Sequence, residues 1–217
     1  MSPSRTAATL CRSLDAANAQ SWPYRHWLPR GMLDGDVALA LASMPVQVTA
    51  QDLSAGTRAA NNACRVFFNA EGQAANPAMK ALAEAFQSPE VVAAWEKMCG
   101  IDLTGTHARI EYCRDGEGFW LEPHTDIGAK RITILIYLST GDGAEGWGTD
   151  VYEGPDKPPM TVPGDFNCGM VFIPGEDTWH GFSPRPISGI RRSLMLNYVG
   201  PEWRARHELC FPETAVK

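Results

Sequence analysis

Apolar and polar positions follow two different periods along this chain. In the first hundred residues the apolar positions recur at helical spacing over 5–19, 34–43 and 77–98. Ser88-Pro89 interrupts the last of these, because a residue before proline is pushed out of the α region. Gly100 then supplies a C-terminal stop. Between the helices, RVFFNA at 65–70 is short, aromatic and β-branched, which predicts a strand.

From 106 onward the period shortens. THARIEYC (106–113), GFWLEPHTD (118–126), RITILIYLS (131–139), GTDVYE (148–153), FNCGMVFIP (166–174), WHGF (179–182) and RRSLMLNYV (191–199) each read as a short strand. Turn signals separate them, among them Asp115-Gly116, Gly141-Asp142-Gly143, Pro158-Pro159, Pro174-Gly175 and Ser188-Gly189. Many short strands at near-regular spacing predict an antiparallel barrel or two-sheet jelly roll. The expected class is α+β: a jelly-roll core of antiparallel strands braced by N-terminal helices. We expect a single domain, with 1–105 a mainly helical support region, 106–200 the core and 201–217 a tail.

Composition changes this picture little. The chain has 217 residues, 44% hydrophobic and 20% charged, as in ordinary globular proteins. The net charge of −6 and the lack of a Lys/Arg run argue against a nucleic-acid partner. No stretch approaches the roughly 20 apolar residues of a membrane span. The N-terminal MSPSRTAATLCRSLDAANAQ is broken by Arg, Ser and Asp, unlike a signal peptide, so the expected location is the cytoplasm. Cys11, Cys64, Cys99, Cys113, Cys168 and Cys210 form no zinc-like spacing and read as reduced thiols.

The candidate chemistry begins at His124-Thr125-Asp126. Side chains at i and i+2 of a strand share a face, so the imidazole and the carboxylate can converge. His180 lies on another short strand after a Pro-Gly turn. Two neutral imidazoles and one carboxylate make a facial triad for Fe(II) that leaves positions open for a 2-oxo acid and then O2. A closed zinc site would need a fourth ligand, and no good candidate is present. A dicarboxylate cosubstrate also needs a cation at its far end, and Arg191 or Arg192 in Gly189-Ile190-Arg191-Arg192-Ser193 supplies one. Alternation puts Arg191, Ser193, Met195 and Asn197 on one face, and Arg192, Leu194, Leu196 and Tyr198 on the other. In a sheet braced by helices the more apolar face turns outward to the helices. The mixed face then lines the pocket, which selects Arg191 and sets Ser193 beside it.

The HxD pair, the later His and the Gly-x-Arg resemble the double-stranded β-helix 2-oxoglutarate oxygenases, particularly the prolyl-hydroxylase-like branch. The resemblance covers about residues 106–200. It implies that His124, Asp126 and His180 hold iron and that Arg191 binds the distal carboxylate of 2-oxoglutarate. It also implies that Tyr137, and Tyr112 on the strand before HxD, line the cosubstrate pocket. The implied activity is hydroxylation of a small molecule with O2, releasing succinate and CO2, with ascorbate as an accessory reductant. Desaturation or demethylation would use the same iron site.

Plainer readings stand beside these. His124 and His180 as core histidines, Asp126 as a turn cap, and Tyr112 and Tyr137 as strand aromatics each need no ligand. His26, His107 and His207 read as surface or packing residues, and Trp179 as structural. Asn61, Asn62 and Arg65 are candidates for the pocket border. Rival functions are a non-redox cupin-like jelly roll and a protein prolyl-type hydroxylase. Repair of alkylated nucleic acid would require a basic patch that the chain lacks.

Overall fold

A computed structural model describes residues 1–45, 56–57 and 65–217. Asn61, Asn62 and Cys64 lie outside the described residues. The described helices are α1 (Pro3–Asp15), α2 (Gly35–Ala42), α3 (Ala70–Ala75), α4 (Pro77–Gln87) and α5 (Pro89–Cys99). The strands are β1 (Ala19–Gln20), β2 (His26–Trp27), β3 (Arg65–Phe67), β4 (His107–Asp115), β5 (Leu121–His124) and β6 (Lys130–Tyr137). They continue as β7 (Asp150–Val151), β8 (Met160–Thr161), β9 (Gly169–Phe172), β10 (His180–Phe182) and β11 (Arg191–Val199). No helix among the described residues is long and apolar enough to cross a membrane.

Local chemistry explains the helix boundaries. Ser88 ends α4 in an extended conformation and Pro89 opens α5, the interruption expected at Ser88-Pro89. Asn76 accepts from Ala78 N and Met79 N at the start of α4. Gly100, in the left-handed region at φ 72°, closes α5. The strand predicted over 65–70 stops at Phe67, because the Asn69 side chain accepts from Gly72 N and starts α3.

The strands form two sheets. A seven-stranded sheet runs β1-β2-β9-β6-β11-β4-β3, and a four-stranded sheet runs β5-β10-β7-β8. β11 is the spine of the larger sheet, in register with β4 from Arg191↔Asp115 to Val199↔His107 and with β6 from Ser193↔Tyr137 onward. The outer face of this spine carries Ile110, Ile132, Ile134, Ile136, Leu194, Leu196 and Tyr198. These pack in one core cluster with Leu10, Leu82, Phe86 and Trp95 of the helices. The Tyr198 hydroxyl donates to Phe86 O at 2.6 Å and ties β11 to α4. The inner face, turned to the smaller sheet, includes Leu135, Tyr137, Met170 and Phe172, with Met195 against them. Arg191, Ser193, Met195 and Asn197 of β11 thus occupy the inner face, as their alternation predicts, and the architecture is the expected double-stranded β-helix with helices on one side.

Strands β1, β2 and β3 come from the predominantly helical first part and extend the larger sheet at both edges. Among the described residues, Cys11, Cys99, Cys168 and Cys210 carry free thiols.

Candidate metal centre

The strands of the smaller sheet bring the HxD pair and the later histidine together. His180 at the head of β10 is the register partner of His124 at the end of β5. Their ring centroids lie 4.3 Å apart, and one ligand atom from each of His124, Asp126 and His180 falls within 4.8 Å of the others. Gly181 permits this close pairing: a Cβ there would lie 2.7 Å from Leu121 O.

Both imidazoles are oriented through Nδ1. His124 Nδ1 lies 2.9 Å from Glu122 O, and His180 Nδ1 lies 3.0 Å from Thr178 O. A carbonyl can only accept, so each Nδ1 carries a proton and Nε2 is the nitrogen left for a ligand. Burial pushes the His180 pKa down to about 4, against the raising influence of Asp126, so the ring is neutral at neutral pH. At Asp126, burial favours the protonated acid. The Lys130 ammonium, His180 and hydrogen bonds from Lys130 and Thr133 outweigh it and hold the group at about 2. Two imidazole nitrogens and one carboxylate are a donor set that fits a divalent cation and leaves part of its coordination sphere open. Nδ1 anchors of this kind are the support that metal-binding histidines normally receive.

The sequence-predicted cosubstrate residues fall into two groups. Arg191, Ser193 and Tyr137 are buried on the inner face, with Ser193 directly across from Tyr137. The Arg191 guanidinium lies over the Phe182 and Phe119 rings at 4.7 and 6.0 Å. Its Nε donates to Trp147 O at 2.7 Å and its Nη1 to Asp115 Oδ2 at 2.5 Å. Among the described residues Nη2 makes no hydrogen bond. The Tyr137 hydroxyl donates to Thr149 Oγ1 at 2.9 Å and accepts from Thr149 N at 3.3 Å. Burial raises the Tyr137 pKa, and the nearby Arg191 charge opposes that shift.

Tyr112 is a correction. It pairs with Leu194 and belongs to the helix-side core cluster, on the face away from the triad. Burial raises its hydroxyl pKa and the neighbouring Arg192 guanidinium lowers it, so Tyr112 and Arg192 share the outer side. The inward residues of β4 are instead Arg109, Glu111, Cys113 and Asp115, the partners of Asn197, Met195, Ser193 and Arg191.

Several residues near the centre have no motif to announce them. Lys130 pairs with Asp126 Oδ1, and Thr133 Oγ1 donates to Asp126 Oδ2 at 2.5 Å. Phe172 packs its ring 4.8 Å from that of His180. Arg65, a candidate for the pocket border, pairs with Glu111 through Nε at 2.7 Å. A conspicuous Lys four positions after an acidic ligand was the available signal for Lys130. Of the plainer readings, His26 is fully buried on β2.

No protein-family model and no curated protein matches the chain. Solved structures do. A prolyl-4-hydroxylase from Pseudomonas putida is similar at a TM-score of 0.57 and 17% identity, over 92% of this chain and 98% of its own. A prolyl hydroxylase from Trichoplax adhaerens, in complex with a hypoxia inducible factor oxygen degradation domain peptide fragment, gives 0.56 and 13%, over 91% and 90%. The non-haem alpha-ketoglutarate-dependent epimerase SnoN from nogalamycin biosynthesis gives 0.52 and 15%, over 89% and 83%. At these identities the likeness is one of fold, and the chain shares the double-stranded β-helix fold with prolyl hydroxylases and related 2-oxoglutarate-dependent enzymes.

Proposed function

We propose that the chain is a non-haem Fe(II)- and 2-oxoglutarate-dependent oxygenase that hydroxylates a small molecule. One observation carries the reading: His124, Asp126 and His180 converge with both Nε2 atoms free, inside the fold that serves this chemistry in the similar structures. Bound iron and 2-oxoglutarate would supply the oxidising power, with O2 consumed and succinate and CO2 released.

The chain's own part is binding and orientation. His124 and His180 present nitrogen, and Asp126 presents oxygen. Arg191, with Ser193 and Tyr137 on the same face, supplies the cation and hydroxyls for the distal carboxylate. A planar fork suits that task, since it can hold Asp115 on one nitrogen and a second carboxylate on another. Paired charges from Arg109 and Glu111 stand on the inward side of β4, joined by Arg65 of β3. The polar character of that face is why a compact polar molecule is the substrate class we favour over a peptide.

A second reading draws on the Arg191–Asp115 pair. An arginine whose charge is already matched by a carboxylate has less to offer a cosubstrate, which favours a non-redox, cupin-like metal protein. The test is aerobic incubation with Fe(II), 2-oxoglutarate and a metabolite extract, following succinate. Substrate-stimulated succinate release that disappears in His180→Ala supports the oxygenase. Metal binding with no turnover of 2-oxoglutarate refutes it and leaves the cupin-like reading.

A further inference from the structure

The two carboxylate oxygens of Asp126 are held differently, and the difference can be traced across the sheet. Thr133, Asn197 and Arg109 are register partners on β6, β11 and β4, so their side chains form one row on the inner face. Arg109 Nη1 donates to Asn197 Oδ1 at 3.4 Å. Asn197 Nδ2 donates to Thr133 Oγ1 at 3.0 Å and to Ile132 O at 3.2 Å. Thr133 Oγ1 donates to Asp126 Oδ2 at 2.5 Å. Arg109 is itself fixed by Glu208 on Nε at 2.6 Å and Glu111 on Nη2 at 2.7 Å, and it lies over the Phe67 and Trp203 rings.

The direction of every proton in this row is forced. A guanidinium has donors and no acceptor, so the Asn197 amide must turn its oxygen to Arg109. Its NH2 group then faces Thr133, whose oxygen accepts and whose own proton has Asp126 Oδ2 as its acceptor. Arg109, Thr133 and Asn197 are 2%, 1% and 2% exposed, so water offers no competing arrangement. Hydrogen bonds that run in one direction polarise one another.

We propose that Thr133, Asn197 and Arg109 are positioning residues that hold the Asp126 carboxylate, through Oδ2, in the orientation it presents to the metal. This rests on the metal-centre reading above. Lys130 holds the other oxygen, Oδ1, and each carboxylate oxygen keeps a further lone pair beside its hydrogen bond. The row fixes the carboxylate before the metal arrives, so binding requires no reorientation of Asp126.

The test is titration of the metal-free protein with Co(II), read by affinity and by the visible ligand-field spectrum, which reports coordination geometry without turnover. Thr133→Val should weaken binding by about 10- to 100-fold, the usual effect of losing a hydrogen bond to a metal ligand. Thr133→Ser should restore both affinity and spectrum. Asn197→Asp keeps the shape but accepts from both Arg109 and Thr133. It draws the Thr133 proton away from Asp126, so it should weaken binding similarly and alter the spectrum. Thermal unfolding without metal establishes that each variant is folded. If Asn197→Asp fails to fold, the Thr133 pair decides. Wild-type affinity and spectrum in Thr133→Val overturn the proposal while leaving the metal centre standing. A wild-type protein that binds no Co(II), or a His180→Ala protein that binds it as tightly, removes the metal centre and the proposal together.

Discussion

Replacing Arg191 probes the proposed cosubstrate site most directly, and the structure dictates how it should be replaced. Arg191 is buried, stacked over Phe182, and hydrogen-bonded to Asp115 and Trp147 O. Arg191→Ala would strip a charge from a buried pair, a loss that costs about 3–5 kcal/mol in stability. A fall in 2-oxoglutarate binding would then be mixed with partial unfolding. Arg191→Lys keeps the charge and most of the apolar stem but loses the planar fork. A hydrogen bond to a charged group is worth about 1.5–3 kcal/mol. At about 1.4 kcal/mol per decade, losing one arm of the fork should weaken 2-oxoglutarate by roughly tenfold to a hundredfold. Complete loss of the pairing in Arg191→Ala, about 2–5 kcal/mol, should cost roughly thirtyfold or more.

Arg192→Ala is the matched control. Arg192 lies on the helix side beside Tyr112, and its removal should leave cosubstrate affinity nearly unchanged. The assay is anaerobic titration of the Fe(II) protein with 2-oxoglutarate, following the chelate absorption band, with urea unfolding of each variant alongside. Unchanged affinity in Arg191→Lys and Arg191→Ala, in folded protein, would refute the site. A large loss confined to Arg192→Ala would mean that cosubstrate enters from the other face.

Three further outcomes follow from the packing. Tyr198→Phe removes the 2.6 Å bond to Phe86 O and leaves a buried carbonyl short of a donor, so urea denaturation should show a loss of about 1–3 kcal/mol. Gly181→Ala sets a methyl 2.7 Å from Leu121 O and forces β5 from β10; stability should fall by about 1–3 kcal/mol, and Co(II) titration should show weaker binding as His124 and His180 separate. Without metal, His180 titrates near 4 when folded and near its ordinary 6.5 when unfolded, so between these values the unfolded chain binds the extra proton. Stability should therefore rise with pH through that window and be fully present above it. A His180→Gln protein should lack that part of the slope in pH-dependent thermal unfolding.

What the amino-acid sequence disclosed depended on whether one strand alone could settle the question. The HxD pair needs only the two-residue period of a single strand, and Arg191 against Arg192 needs only the contrast between Ser-Met-Asn and Leu-Leu-Tyr on β11. Strands β1, β2 and β8 are two residues long and have no period to read. Tyr112 failed for a sharper reason. The argument that turns the apolar face of β11 outward applies equally to β4, where Ala108, Ile110 and Tyr112 are the apolar set. Applied there, it sends Tyr112 to the helices and turns Arg109 and Glu111 inward, against the ordinary expectation that charges face water. Those two charges are buried because each pairs with the other and with Glu208 or Arg65, and neither end of that pairing is visible until the register is known. The row from Arg109 through Asn197 and Thr133 to Asp126 is a property of register across three strands. No single segment contains it, so no motif could have announced it.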